Sequence, residues 1–222
     1  MHRSSILPTL AIAALLAGCN RAPEEPAAGG APAASPGAAG SGGAAASAQA
    51  PARQSAEPGD TIASFQAEGT VLAADGGATT VAIDSRQTTR PTAYVFVGAK
   101  CPTTAKYLGR LARLEEQYAG KIDFVFLYPN RNDSPEEKIA FHRTHGLRGP
   151  MVDDQGARIS LMLGGQRTAE AVVADPAGTI IYRGAIDDSR DEDKVTRKHL
   201  AVALDEHLAG KPVSQPKTVG TA

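Results

Sequence analysis

The most reactive side chains in this 222-residue sequence are its two cysteines, Cys19 and Cys101. Cys101 opens the string Cys101-Pro102-Thr103-Thr104, directly after an apolar run and directly before a segment of helical period. A thiol at such a strand-to-helix junction lies beside unpaired backbone N–H groups and the positive end of the helix dipole, and both favour the thiolate. Pro102 fits the first helical position. Thr103 and Thr104 would present N–H or hydroxyl groups to the sulfur, and Lys100 adds a neighbouring cation. The chemistry this implies is nucleophilic attack by a single thiol on a disulfide or a peroxide. If Cys19 is acylated, Cys101 has no partner in the chain. Its redox steps must then pass through a mixed disulfide, a sulfenic acid or an intermolecular bridge.

Other candidates are weaker. His142 and His145 are three residues apart and would share one helix face. No second ligand cluster accompanies them, so they are expected to be solvent-exposed helix histidines rather than a metal pair. Asp187-Asp188 and Asp191-Glu192-Asp193, interrupted by Arg190 and followed by Lys194, are expected to form a solvated loop, and their spacing fits no EF-hand. The sequence holds no Walker loop, Gly-x-Ser-x-Gly elbow or His-Glu-x-x-His motif. Neither a cofactor nor a metal is expected. With 23 basic and 24 acidic residues there is no basic excess, which argues against a nucleic-acid partner.

Cys19 sits in a different context. His2-Arg3 is followed by an apolar stretch from Ile6 to Leu16 that is too short to span a bilayer, and then by Leu16-Ala17-Gly18-Cys19. This pattern resembles a bacterial lipoprotein signal of residues 1–18, with Cys19 acylated (a palmitate-type modification) as the mature N-terminus. Asn20 after the cysteine favours the outer membrane by the same resemblance, with the domain facing the periplasm. Residues 20–61 contain no Val, Ile, Leu, Met, Phe, Tyr or Trp. Such a stretch has nothing to bury, so 19–61 is expected to be a disordered tether.

All ten aromatic residues lie between Phe65 and Tyr182, which predicts one folded domain over 62–213 and a polar tail over 214–222. Thr70–Ala74 and Thr79–Asp84 flank Asp75-Gly76-Gly77 and read as a hairpin. Ala93–Gly98 and Ile122–Tyr128 read as buried strands. Between them Tyr107, Leu108, Leu111, Leu114 and Tyr118 form a helical stripe, with Arg110, Arg113, Glu116 and Gln117 on the opposite face. Ser134-Pro135-Glu136-Glu137 predicts a capped helix ending before Gly146, and a short helix follows at Ala157–Leu163. Ala171–Ala174 and Thr179–Tyr182 form a second hairpin about Asp175–Gly178. Thr196 is expected to cap a last helix, with its stripe at Leu200, Ala203, Leu204, His207 and Leu208. The tyrosines are expected in the core. Strand–helix–strand followed by a hairpin implies an α/β fold, with a mixed central sheet and helices on both faces.

Residues 94–104, Tyr-Val-Phe-Val-Gly-Ala-Lys-Cys-Pro-Thr-Thr, resemble the active-site strand and helix start of the thioredoxin-like superfamily, in particular its bacterial redoxin branch. The similarity continues through Asp153-Asp154-Gln155-Gly156, Thr168–Val173, Tyr182–Asp188 and Leu208–Val213, and covers about 65–215. The resemblance implies a thioredoxin-like fold, Cys101 as the reactive thiol and Thr168 on the loop facing it. The chain also departs from the family pattern. Thr104 stands where a second cysteine would fall, and Ala169 stands where a cis-proline would fall, so this loop is expected to be trans or rearranged. The end of the chain, Gly220-Thr221-Ala222, lacks the Gly-Cys of many relatives. The primary expectation is a membrane-anchored single-cysteine redox protein whose partner is an external thiol, a small thiol or a disulfide-bearing protein. The alternatives are a catalytically degenerate binding or assembly module and, less favoured, a metal- or haem-handling protein using Cys101 with His142 and His145.

Overall fold

The computed structural model describes residues 56–219, so the expected signal, the expected acylation at Cys19 and most of the expected tether lie outside the described residues. In chain order the elements are β1 (Gln66–Leu72), β2 (Ala78–Asp84), β3 (Thr92–Phe96), α1 (Pro102–Gln117), β4 (Asp123–Leu127), α2 (Pro135–Thr144), β5 (Met151–Val152), α3 (Arg158–Met162), β6 (Glu170–Ala174), β7 (Ile180–Ala185) and α4 (His199–Leu208). The strands form one sheet in the order β2-β1-β5-β4-β3-β6-β7. β3, β4 and β5 run parallel, whereas β6 and β1 flank them antiparallel. The β3-α1-β4 crossover followed by the β6-β7 hairpin and α4, with β4-β3-β6-β7 adjacent, is the thioredoxin-like arrangement.

The apolar runs are strands because both faces of the sheet are covered. Along β3, Ala93 and Val95 pack with Leu108 and Leu111 of α1 and Leu200 and Leu204 of α4, while Tyr94 and Phe96 face a second cluster with Ile62, Phe65, Ile159 and Leu163. The stripe read along α1 is the buried one, and all five tyrosines are buried. Ser134 and Glu137 form the expected capping box on α2.

Several boundaries move, each for a physical reason. β1 begins at Gln66 and runs through Gly69, where a Cβ would lie 2.9 Å from Pro150 and 2.7 Å from Ile83. That glycine marks a close backbone approach inside a strand. β7 continues past Tyr182 to Ala185. β5 has two residues, too few to show a period. Thr196 does not cap α4, which starts at His199 after Lys198; the Thr196 hydroxyl donates to Asp188 instead.

The ordered chain also begins before residue 62 and continues past 213. Ala56 and Ile62 are buried. Gly59 N–H donates to the Ile180 carbonyl at 2.8 Å, and Arg183 N–H donates to the Pro216 carbonyl at 2.9 Å. The segments read as tether and tail therefore lie, in part, along β7.

Three polar side chains expected in solvent are buried. Arg110, on the face of α1 read as exposed, is covered by residues 187–190. Its Nη1 donates to Asp187 at 2.7 Å and to the Ser189 carbonyl at 3.0 Å, while Nη2 reaches the Arg190 carbonyl at 2.6 Å. Asp187 is thus the inner end of the acidic stretch rather than part of a solvated loop. His142 is fully buried, and His145 is partly covered.

Candidate active site

Cys101 is the N-cap of α1, with extended backbone, and Pro102 occupies the first helical position. Its Sγ is 3.1 Å from Thr168 Oγ1, which reaches it from the loop between α3 and β6. The structure thus brings together Cys101, Pro102, Thr103, Thr104 and Thr168. Thr104 is fully buried beneath the sulfur, and the Gly98 N–H donates to its hydroxyl at 3.4 Å. Thr103 is half-buried and Pro102 exposed.

The electrostatics of the thiol follow from these neighbours. Burial pushes the Cys101 thiol up. Hydrogen bonds from the Thr168 hydroxyl, from the Thr104 N–H and hydroxyl and from the Thr103 N–H outweigh it together, so the net shift is below the ordinary thiol value. Lys100 does not take the expected part. Its ammonium lies 2.8 Å from the Glu137 carboxylate and also donates to the Asn132 carbonyl at 2.8 Å, so it is drawn toward the start of α2. Depression of the thiol comes from neutral donors at the helix start and from Thr168.

A second loop, after β4, completes the site. The buried Asp133 carboxylate accepts the Ala99 N–H at 2.9 Å and Asn130 Nδ2 at 3.4 Å. A Cβ on Gly98 would fall 2.7 Å from Asn130 Nδ2 and 3.2 Å from the Cys101 Cβ, so glycine is needed where the two loops meet. Sequence reasoning missed Asn130 and Asp133. The available signal was topological: parallel strands end side by side, so the loop after Ile122–Tyr128 must lie against the loop after Ala93–Gly98.

Ala169, where the resemblance would place a proline, adopts a left-handed backbone with φ 63°, and its N–H donates to the Phe96 carbonyl at 2.7 Å. This carbonyl contact ties the Thr168 loop to the end of β3.

The histidine pair is not arranged for metal. His142 Nε2 lies 2.9 Å from the Gly149 carbonyl, which can only accept, so Nε2 donates to it; Nδ1 lies 3.0 Å from Tyr128 Oη, whose hydroxyl donates to it in the neutral ring that burial favours. Burial pushes its imidazole down to about 4. Phe141 stacks edge-on against His145 at 4.9 Å. Among the described residues no group of three or more His, Cys, Asp or Glu is placed to hold a metal ion, and no helix is long and apolar enough to cross a membrane.

No protein-family model matches the chain, and no curated protein matches it. Solved structures do. An uncharacterized conserved protein from Geobacillus kaustophilus is similar at 25% identity and a TM-score of 0.63, over 73% of this chain and 88% of that one. A hypothetical protein from Sinorhizobium meliloti 1021 is similar at 22% identity and a TM-score of 0.60, over 76% and 93%. A thioredoxin-like protein solved in its oxidized form aligns at 16% identity and a TM-score of 0.47, over 55% and 80%.

Proposed function

We propose that the protein is a single-cysteine thiol–disulfide redox protein, anchored to the bacterial envelope through acylated Cys19. The observation that carries this reading is the Cys101 sulfur at the start of α1, 3.1 Å from the Thr168 hydroxyl and held below the ordinary thiol pKa by neutral donors. The Cys101 thiolate attacks one sulfur of a substrate disulfide. A new S–S bond forms to that half while the old one breaks, and the other half leaves as a thiolate that takes up a proton from water. With Thr104 where a second thiol would stand, the mixed disulfide has no internal resolving partner. An external thiolate then attacks the substrate sulfur of the mixed disulfide; the bond to Cys101 breaks, Cys101 leaves as a thiolate, and a new disulfide joins the incoming thiol to the retained half, so the net reaction is thiol–disulfide exchange.

The test is the alkylation rate of Cys101 by iodoacetamide against pH, on the full chain carrying Cys19→Ser so that one thiol remains. A midpoint well below about 8.5, together with a mixed disulfide captured from a model disulfide, is the expected result. A midpoint at or above that value would retire the catalytic role and favour a redoxin-like binding module, a reading that the absent second cysteine already motivates.

A further inference from the structure

Arg183 on β7 is a buried guanidinium whose hydrogen bonds draw two separate segments to its strand. Nη2 donates to the Gly164 carbonyl at 2.6 Å, and Nη1 donates to the Ala56 carbonyl at 3.0 Å and lies 3.3 Å from Glu57 Oε1. Glu57 is held in turn by Lys217, 2.7 Å away. The incoming chain is laid down beside it by two further backbone bonds: Ile180 N–H to the Asp60 carbonyl at 2.8 Å and Ile62 N–H to the Gly178 carbonyl at 2.9 Å.

Gly164 lies near the start of the α3–β6 loop that carries Thr168. The start of that loop is tied to α3 by the Gly164 N–H on the Leu161 carbonyl at 3.0 Å and the Gly165 N–H on the Ser160 carbonyl at 2.7 Å, and three further contacts fasten it to the sheet. Gly164 is held by Arg183, Gly165 lies flat on the Phe96 ring, where a Cβ would come within 2.7 Å, and Ala169 is bonded to the Phe96 carbonyl. The last two anchors belong to β3 and move with Cys101. The first depends on Arg183, two of whose three acceptor residues belong to the N-terminal segment. If that segment lifts, the buried guanidinium loses both and must shift or admit water, and the Gly164 carbonyl shifts with it.

We propose that docking of the Ala56–Ile62 segment regulates the thiol site, with Arg183 as the positioning residue that transmits it to Thr168. Resting on the single-thiol reading above, this makes the stretch through which any tether enters the domain a control element of the nucleophile. Docked, it holds the Thr168 hydroxyl on the Cys101 sulfur; lifted, it releases that hydroxyl and leaves the thiol less ionised at neutral pH.

The experiment is a double-mutant cycle on the full chain carrying Cys19→Ser, reading the pH midpoint of Cys101 alkylation. Thr168→Val should raise the midpoint by about one unit, the size of one hydrogen bond to a charged group. Arg183→Gln should raise it in the same direction when Thr168 is present and leave it unchanged when Thr168 is already Val. An equal shift in both backgrounds would mean that Arg183 acts only as a distant charge, and would overturn the proposal. No shift in either would overturn it equally. Should Arg183→Gln not fold, Arg183→Lys takes its place, since a lysine keeps the charge but cannot span two carbonyls as a fork does. A wild-type midpoint at the free-thiol value would count against the thiol reading itself, separately from the coupling.

Discussion

At the scale of single residues, the fate of each polar group depends on what reaches it rather than on its own type. Cys101 is kept ionisable by donors that carry no charge, so its reactivity should respond little to salt, whereas a lysine-activated thiol would lose reactivity as salt screens the cation. The expected outcome is an alkylation midpoint that moves by less than about 0.3 unit between low and 0.5 M salt, measured on the Cys19→Ser chain. His142 shows the opposite balance. Burial holds its folded value at about 4, against 6.5 when free. The unfolded chain therefore binds the proton first as pH falls, and stability from this group is complete above about 6.5, declines between 6.5 and 4, and levels off below. The loss should be on the order of 3 kcal/mol across that window. Urea unfolding at pH 7 and pH 5 should show about 2 kcal/mol of it, with a smaller change in His142→Gln. Subtracting the variant matters because burial raises the Asp187 and Glu115 carboxyls, and those groups contribute with opposite sign.

At the scale of elements, local signals were legible and distant ones were not. The stripe on α1, the box at Ser134 and Glu137 and both hairpins depend on neighbours within a few residues, and each could be read from spacing alone. The junction carrying Cys101-Pro102-Thr103-Thr104 belongs to the same class, and Thr168 became visible only through family resemblance. Arg110 was misplaced because its partner Asp187 lies 77 residues away and no periodicity connects them. His142 sits on α2, where helical spacing says which residues share a face but not which face is covered. β5 was invisible because two residues carry no pattern. Where α1 meets the 187–190 segment, the cost of error is large. Asp187→Ala would leave a buried guanidinium without its counter-ion, and the domain should lose about 3–5 kcal/mol in denaturant unfolding at pH 7. Arg113→Ala, which breaks an exposed pair with Glu192, should cost less than about 1 kcal/mol.

At the scale of the whole molecule, the proposed anchor and the proposed site make separable demands. Cys19→Ser should move the protein from the membrane to the soluble fraction on ultracentrifugation, while leaving the Cys101 midpoint unchanged, because residues 56–219 contain every group described around the sulfur. A coupled change in both would mean that acylation reaches the thiol by a route outside the described contacts.

The covering of β7 has a consequence for how copies of the domain can meet. A sheet grows into a fibre only if it offers two open margins, so that each added copy presents a fresh one. Here Lys217 bridges Arg183 in parallel and Pro216 accepts from the same strand, so the chain's own C-terminal segment occupies one margin. Within residues 56–219 the margin left is β2, next to β1 and carrying exposed Thr79 and Thr80. Two copies meeting through β2 would use up both free margins in a symmetric pair and stop there. A protein held at high density on a surface would then have association by strand addition that ends at two.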